Sequence, residues 1–385
     1  MVYSITLLRR VGAYISRGTC SHSLKRGDYM ACYHPNMILM NTNSKIHTGK
    51  YQLLKYVNSH GQNFKGYEWY DQQNKIFYEQ DQTYEWVKVP CKQCAGCQET
   101  YSKQWAMRCM AEAKEHKYNY FLTLTYDDNH IPREDTVKSP IDGKEYYLEN
   151  PESGQLKPED MEQFIKNIRQ TWKREYDHTG IRFYMCGEYG GKTERPHYHI
   201  ILFNFPIPLE ELKIYKTTQH NDILWNCEKI EKIWGKGYVV IAEVNWDTCA
   251  YVARYVQKKW GNRWNAQSYY ERGLTPEYVR MSRMPGIGLK YYEKNLYDIY
   301  INDEIITKAH KGKTAAIRPP AYYDRKFGED YPEHLEKIKA RRKAIATEMN
   351  RNKNNLTSLT EAERLQNEEY DKRKKMATLR RDMSL

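Results

Sequence analysis

The sequence predicts an α+β fold built on an antiparallel sheet with helices packed against it. Three observations predict this. Strand-like and amphipathic helical segments alternate between residues 118 and 261 in the order β-α-β-β-α-β-α. Two neighbouring strands, IRFYMC and HYHIILF, are joined across Gly190-Gly191, which makes them an antiparallel hairpin. The helical segments carry apolar residues at three- and four-residue spacing, the mark of a helix with one buried face. This order is a split βαβ repeat of the ferredoxin or RRM-like kind, with the helices expected on one face of the sheet.

Each element has its own signal. Residues 118–126, YNYFLTLTY, read as the first strand, and a polar insertion marked by Pro, Gly and Asp runs to residue 157. A helix begins at Pro158, where a missing N–H costs nothing in the first turn. Met161, Phe164, Ile165, Ile168 and Trp172 share its buried face. After the hairpin, residues 222–234 read as a helix with Ile223, Leu224, Cys227, Ile230 and Trp234 in register. GYVVIAEV is a further strand. Residues 247–260, DTCAYVARYVQKKW, form the last helix, with Asp247 as N-cap and Gly261 past its end. Around this core, residues 30–117 form an N-terminal region of short strands with clustered cysteines. Residues 262–332 wrap back, and residues 333–385 form a charged helical tail, partly disordered. The basic clusters of that tail are either a solvated face or a surface for DNA or a partner.

The hairpin carries the strongest chemical signal. His197 and His199 leave their strand on the same face, because strand side chains alternate. Glu188 lies nine residues upstream, and the glycine turn returns its carboxylate beside His197. Two imidazoles and a carboxylate suit a divalent cation with open positions. The competing reading is a strand with hydrogen-bonded surface histidines, since 12 His in 385 residues give roughly 0.4 such pairs by chance. Tyr198, Ile200 and Leu202 point the other way, into packing. Ile201 and Phe203 share the histidine parity, so the polar site is confined to one end of the strand.

The last helix adds Tyr251 and Tyr255, four apart and hence on one face, with Lys258 and Lys259 one turn on. A phenol is a poor nucleophile at its ordinary pKa of about 10. It becomes useful when a metal polarises the phosphate it attacks or a cation stabilises the phenolate. Thirty-five Tyr yield about three such pairs at random, so this spacing alone decides nothing.

Composition narrows the partners. The chain has 61 Lys and Arg against 49 Asp and Glu, a net charge of +12, which favours a polyanion. Basic and aromatic residues interleave in GYEWYDQQNKIFYEQ and KKWGNRWNAQSYYERG, a mixture suited to single-stranded nucleic acid; many of these rings also serve as core. No stretch approaches the roughly 20 apolar residues of a membrane span, so no membrane role is expected. Nine cysteines, an odd number, point to a reducing cytoplasm. Cys91, Cys94 and Cys97 form C-x-x-C-x-x-C, which could clip a structural Zn²⁺ with Cys32 or His34 as fourth ligand; buried free thiols are the other reading.

Taken together, these motifs resemble the HUH endonucleases that initiate rolling-circle replication. His197-Tyr198-His199 matches the signature that names them, FLTLTYDD (121–128) their first motif and YVARYVQKK (251–259) their two-tyrosine motif. Glu188 matches a third metal ligand of several such initiators. MACYHP (30–35), PCKQCAGC (90–97), QWAMRC (104–109), WGKGYV (234–239) and SRMPGIG (282–288) are similar to the replication initiators of Microviridae, particularly the gokushoviruses. The resemblance implies an HUH nuclease core over residues 118–261 and a dispensable extension over 1–29 ahead of Met30. It implies Mg²⁺ or Mn²⁺ on His197, His199 and Glu188, with Tyr251 and Tyr255 as nucleophiles and Lys258 assisting. The implied reaction is site-specific nicking and joining of single-stranded DNA at the replication origin through a 5′-phosphotyrosine. The implied setting is the host bacterial cytoplasm, with host helicase and polymerase as partners. The alternatives are an HUH transposase or relaxase, and a non-enzymatic zinc-containing DNA-binding protein.

Overall fold

The computed structural model describes residues 32–41, 53–57, 84–191, 193–218, 221–259, 263–308 and 314–377. Residues 1–29 and the aromatic stretch 66–80 lie outside them. The chain divides into two compact units. One comprises Tyr101–Lys339 together with Met1–Lys25, the other Arg26–Thr100 and Ala340–Leu385.

The fold is α+β. Its elements begin with β1 (Asn36–Asn41), β2 (Leu53–Val57), β3 (Tyr84–Val89), α1 (Ala95–Lys114) and β4 (Asn119–Thr125). A small hairpin follows, β5 (Thr136–Lys138) and β6 (Glu145–Tyr147), then α2 (Pro158–Tyr176), β7 (Arg182–Tyr189) and β8 (Pro196–Phe203). Next come β9 (Lys213–Thr217), β10 (Ile223–Asn226), α3 (Glu228–Trp234), β11 (Val239–Glu243) and α4 (Trp246–Lys259). The remainder is α5 (Arg263–Glu271), β12 (Tyr278–Met281), α6 (Leu289–Asn302), β13 (Ile305–Lys308), β14 (Thr314–Ile317), α7 (Ala321–Asp330), α8 (Pro332–Asn355) and α9 (Glu361–Ala377).

A seven-stranded sheet organises the first unit, in the order β12-β7-β8-β4-β11-β10-β9, every neighbouring pair antiparallel. One face packs on α2 and α3. Leu122, Leu124, Tyr198, Ile200, Leu202 and Ile241 meet Met161, Phe164, Ile165, Ile168 and Trp172 of α2 and Ile230 and Trp234 of α3. Each such side chain contributes roughly 2 kcal/mol of burial. Lys157 stands at the N-cap of α2 with Pro158 next, and Asp177 ends the helix in the left-handed conformation (φ 48°).

The expectation of helices on one face only is corrected here. The opposite face is also covered: α4 packs on β7, β8 and β12, and Trp105 of α1 stacks on Tyr184 of β7 at 5.0 Å. The reason lies in the second parity of the strands. Phe121, Tyr184, Ile201 and Phe203 are as apolar as their neighbours and as buried, so both faces need cover.

Two local readings also change. Residues 222–234 are a strand followed by a short helix, because Ile223–Asn226 pair with β9 and Trp225 pairs with Ile241 of β11. Cys227 is extended (φ −144°), and only from Glu228 does the chain turn helical. Tertiary pairing overrides the helical spacing of the apolar residues. At α4 the cap is Asn245 rather than Asp247. Asn245 Oδ1 accepts the Thr248 N–H at 2.9 Å, and the Thr248 hydroxyl accepts the Asn245 N–H at 2.9 Å, a reciprocal box.

The motifs QWAMRC and SRMPGIG tie α1 to the start of α6. The Arg108 guanidinium lies between Trp105 and Tyr322, 4.1 and 4.0 Å from their ring centres, and its Nε donates to the Ile287 carbonyl at 3.0 Å. Gly288 is left-handed (φ 76°), and a side chain there would strike the Tyr323 hydroxyl. Its N–H donates to Glu112 Oε2 at 2.7 Å.

Candidate metal centre

The β7–β8 hairpin sets the register that matters. Glu188 stands opposite His197, and Cys186 opposite His199. The turn closes with Gly190 N–H donating to the Arg195 carbonyl at 3.0 Å and Glu194 N–H to the Gly190 carbonyl at 3.0 Å. Directly opposed strand residues come close enough for their side chains to meet. Glu188 Oε1 accordingly lies 2.8 Å from Nε2 of His197 and 2.8 Å from Nε2 of His199. Glu188 and His199 are 2% and 1% exposed, whereas His197 is half-buried, so the cluster opens to solvent on the His197 side.

The proton positions follow from the outer partners. His197 Nδ1 is 3.1 Å from the Arg195 carbonyl. A carbonyl only accepts, so Nδ1 carries the proton and Nε2 turns its lone pair inward. His199 Nδ1 is held by the Thr123 hydroxyl at 3.0 Å. Burial drives His199 toward the neutral form against the pull of Glu188. Burial also opposes charge on Glu188, but the two imidazoles outweigh it and hold the carboxyl below its usual range. Two imidazole nitrogens and a carboxylate oxygen thus converge in a nearly dry site. Such a convergence of lone pairs calls for a cation among them.

The donor set fits a hard or borderline divalent ion. Adjacent ligands of an octahedral ion with bonds of about 2.1 Å stand about 3.0 Å apart. Around tetrahedral zinc the spacing would be about 3.4 Å. The observed 2.8 Å lies nearer the octahedral value. All three donor atoms fall within 4.8 Å of one another.

α4 brings Tyr251 to this cluster. Its ring meets the His199 ring edge-on at 5.0 Å and the Phe121 ring at 6.3 Å, and the residue is 6% exposed. Tyr255, Lys258 and Lys259 lie on the same helix, but their side chains are outside the described ones. The cysteine cluster belongs to the second unit. There Cys32, Cys91, Cys94 and Cys97 come together, whereas His34 pairs with Glu369 instead.

Two residues at the centre went unremarked in the sequence reading. Thr123 sits opposite His199 on β4 and fixes its ring. Tyr238 precedes β11 and exchanges backbone hydrogen bonds with Thr125, which pairs with His197. Tyr238, Thr125, His197 and Glu188 therefore form one row across four strands, on one face. Tyr238 is 64% exposed. Gly237 makes this possible: at φ 147° it presses against β4, where any side chain would land on the Thr125 carbonyl. The signal for both was present in FLTLTYDD and WGKGYV, as polar or aromatic residues on the parity of the histidines.

Residues 119–260 match the family model described as replication-associated protein ORF2, a span that contains Glu188, His197, His199, Tyr251, Tyr255 and Lys258. The chain is 34% identical over 261 residues to replication-associated protein ORF2 of Spiroplasma virus 4, covering 67% of this chain and 74% of that protein. The chain belongs to this family of phage replication-associated proteins. It is also similar to replication-associated protein VP4 of Bdellovibrio phage phiMH2K, at 28% identity over 67% of this chain and 74% of that protein. A third relative of the family is replication-associated protein ORF4 of Chlamydia phage 1, 32% identical over 44% of this chain and 38% of that protein. No solved structure matches. Among the described residues no helix is long and apolar enough to cross a membrane.

Proposed function

We propose that this family member is the rolling-circle replication initiator of a Microviridae-type phage, an HUH endonuclease that nicks and rejoins single-stranded DNA at the origin. The observation that carries the reading is the convergence of Glu188, His197 and His199 with Tyr251 against His199. Membership of a phage replication family supports it. So does the strand order, in which β8 separates β7 from β4 and β4 separates β8 from β11, as in a split βαβ core.

Glu188, His197 and His199 would hold Mg²⁺ or Mn²⁺. When bound, the ion polarises the scissile phosphate and offsets charge in the transition state. Thr123 and the Arg195 carbonyl keep both imidazoles aimed inward. A tyrosine hydroxyl of α4 attacks phosphorus, forming a tyrosyl O–P bond as the bond to the 3′ oxygen breaks. The phenolic proton leaves to solvent, and the departing oxygen takes up a proton to become a free 3′-hydroxyl. The 5′-phosphotyrosine conserves the energy of the phosphodiester, so rejoining needs no ATP. Tyr251 and Tyr255, one turn apart, could then alternate as nucleophiles between rounds. Lys258 stabilises the phenolate, and the exposed Tyr238 stacks a base beside the cluster. The net charge of +12 holds the phosphate backbone. In the host bacterial cytoplasm, the 3′-hydroxyl would prime host polymerase while host helicase opens the duplex.

The test is incubation of the full chain with labelled single-stranded origin DNA and Mn²⁺, with mapping of the adducted tyrosine. A covalent adduct on Tyr251 or Tyr255 is expected. Binding with no adduct would leave a non-enzymatic DNA-binding protein.

A further inference from the structure

We propose that Cys32, Cys91, Cys94 and Cys97 form a tetrathiolate site for one Zn²⁺ that holds together the unit assembled from both ends of the chain. This site is separate from the nuclease chemistry. Its four sulfurs all lie within 4.8 Å of one another, and Cys32 Sγ is 4.0 Å from Cys94 Sγ. A tetrahedral ion with Zn–S bonds of about 2.3 Å holds its sulfurs about 3.8 Å apart. The spacing suits a single ion and is too tight for thiolates spread round an iron–sulfur cluster.

The backbone is arranged for thiolates. Gln93 N–H and Cys94 N–H both point at Cys91 Sγ, at 3.4 and 3.2 Å. Cys91 N–H reaches Cys32 Sγ at 3.2 Å. Tyr33 N–H and Cys97 N–H reach Cys94 Sγ at 3.3 and 3.5 Å. Neutral thiols are weak acceptors, so five amide donors aimed at three sulfurs mark sites of negative charge. Folding the Cys91–Cys94 turn in this way places Lys92 in the left-handed region at φ 65°, a strain for a residue with a side chain. Cys94 and Cys97 also flank the N-terminus of α1, whose dipole favours anions.

Free thiols buried as ordinary core do not account for the cluster. Among the described residues packed around these sulfurs, the apolar company is Tyr33, Ala95 and Leu365. That is little to hold a unit whose pieces lie far apart in sequence. A metal supplies the missing cohesion. The same cluster is where α9 docks. Glu369 of α9 accepts the Ala95 N–H at 3.0 Å and pairs with His34, two residues from Cys32. Lys372 of α9 reaches Glu99 at 2.6 Å. Metal ligation therefore orders the segment to which the C-terminal helix is fastened.

The experiment measures metal in the full chain purified without a metal-binding tag, by inductively coupled plasma mass spectrometry. One zinc per chain is expected, retained in a Glu188→Gln/His197→Ala/His199→Ala variant and lost in Cys32→Ser and Cys97→Ser. Should the cysteine variants fail to fold, a thiol-specific mercurial is titrated into the unmodified protein with a chelating dye present. One zinc released as four thiols react supports the site, and cleavage by trypsin within α9 should then rise at least tenfold. Co²⁺ exchange should give the strong thiolate charge-transfer absorption of a four-sulfur tetrahedral site. A zinc-free preparation with all four thiols freely reactive would overturn the proposal. So would iron in place of zinc, or zinc that disappears with the Glu188, His197 and His199 changes and survives loss of Cys32.

Discussion

The Tyr251 ring stands at 89° to the His199 ring with 5.0 Å between centres, so the nucleophile helix and the metal strand share one contact. That contact spans two elements separated by some fifty residues, β8 and α4. It links the group that would attack phosphorus to a group that would hold the cation. The first prediction follows. Tyr251→Phe and Tyr255→Phe should each retain some single-round adduct on labelled origin DNA, and the double variant none. DNA binding should stay nearly intact, because the rings remain. An undiminished adduct in the double variant would place the nucleophile elsewhere. Complete loss from one single variant would end the alternating scheme.

His197→Ala or His199→Ala should lower Mn²⁺-dependent nicking on the order of 10²–10³-fold with little effect on folding. Glu188→Gln should act less severely, since water can replace part of one ligand. Thr123→Val leaves the ligands in place but frees the His199 ring, so Mn²⁺ affinity should fall about 10–100-fold. Titration calorimetry with Mn²⁺ on the four variants separates ligands from their support. Unchanged affinity in all four would sink the site.

Tyr238 offers a large exposed ring in the row that holds His197 and Glu188. Tyr238→Ala should weaken binding of single-stranded origin DNA by about 1–3 kcal/mol, and Tyr238→Trp should restore it, as stacking demands. Affinity should also fall steeply with salt in both proteins, with unaltered slope, because counterion release comes from phosphate contacts. A changed slope in Tyr238→Ala would mean that this region acts on the backbone instead.

Glu112 gives a stability prediction with a defined sign. Burial opposes its charge, but hydrogen bonds from His116, the Gly288 N–H and the Arg182 guanidinium outweigh that and hold the carboxyl below its usual value. A carboxyl depressed in the folded state stabilises above its unfolded pKa. That contribution is lost as pH falls through the lower, folded value. Glu112→Gln should therefore cost about 3 kcal/mol near neutral pH and flatten the acid side of the stability profile. Urea unfolding followed from about pH 7 down to about pH 3 measures both effects. An unchanged acid limb would show that other carboxylates govern it.

The hairpin site was legible in the sequence because its geometry is local. Strand alternation puts His197 and His199 on one side, and a short turn returns Glu188 to them; neither step needs the rest of the chain. The buried face of α2 was legible for the same reason, and so was the shared face of Tyr251 and Tyr255. What the tertiary structure decided was which local patterns meet. The apolar residues of 222–234 satisfy helical spacing, yet the open edge of β11 offered backbone hydrogen bonds that made half of them a strand. Strand parity could not say that both faces of the sheet would be covered, because an apolar face only specifies burial and not the element that buries it. Thr123 became the support of His199, and Cys32 rather than His34 joined the other three thiols, through contacts 76 and 59 residues apart. Periodicity is a property of neighbours along the chain, whereas a partner is chosen in three dimensions by whichever packing leaves the fewest polar groups and apolar surfaces unmatched.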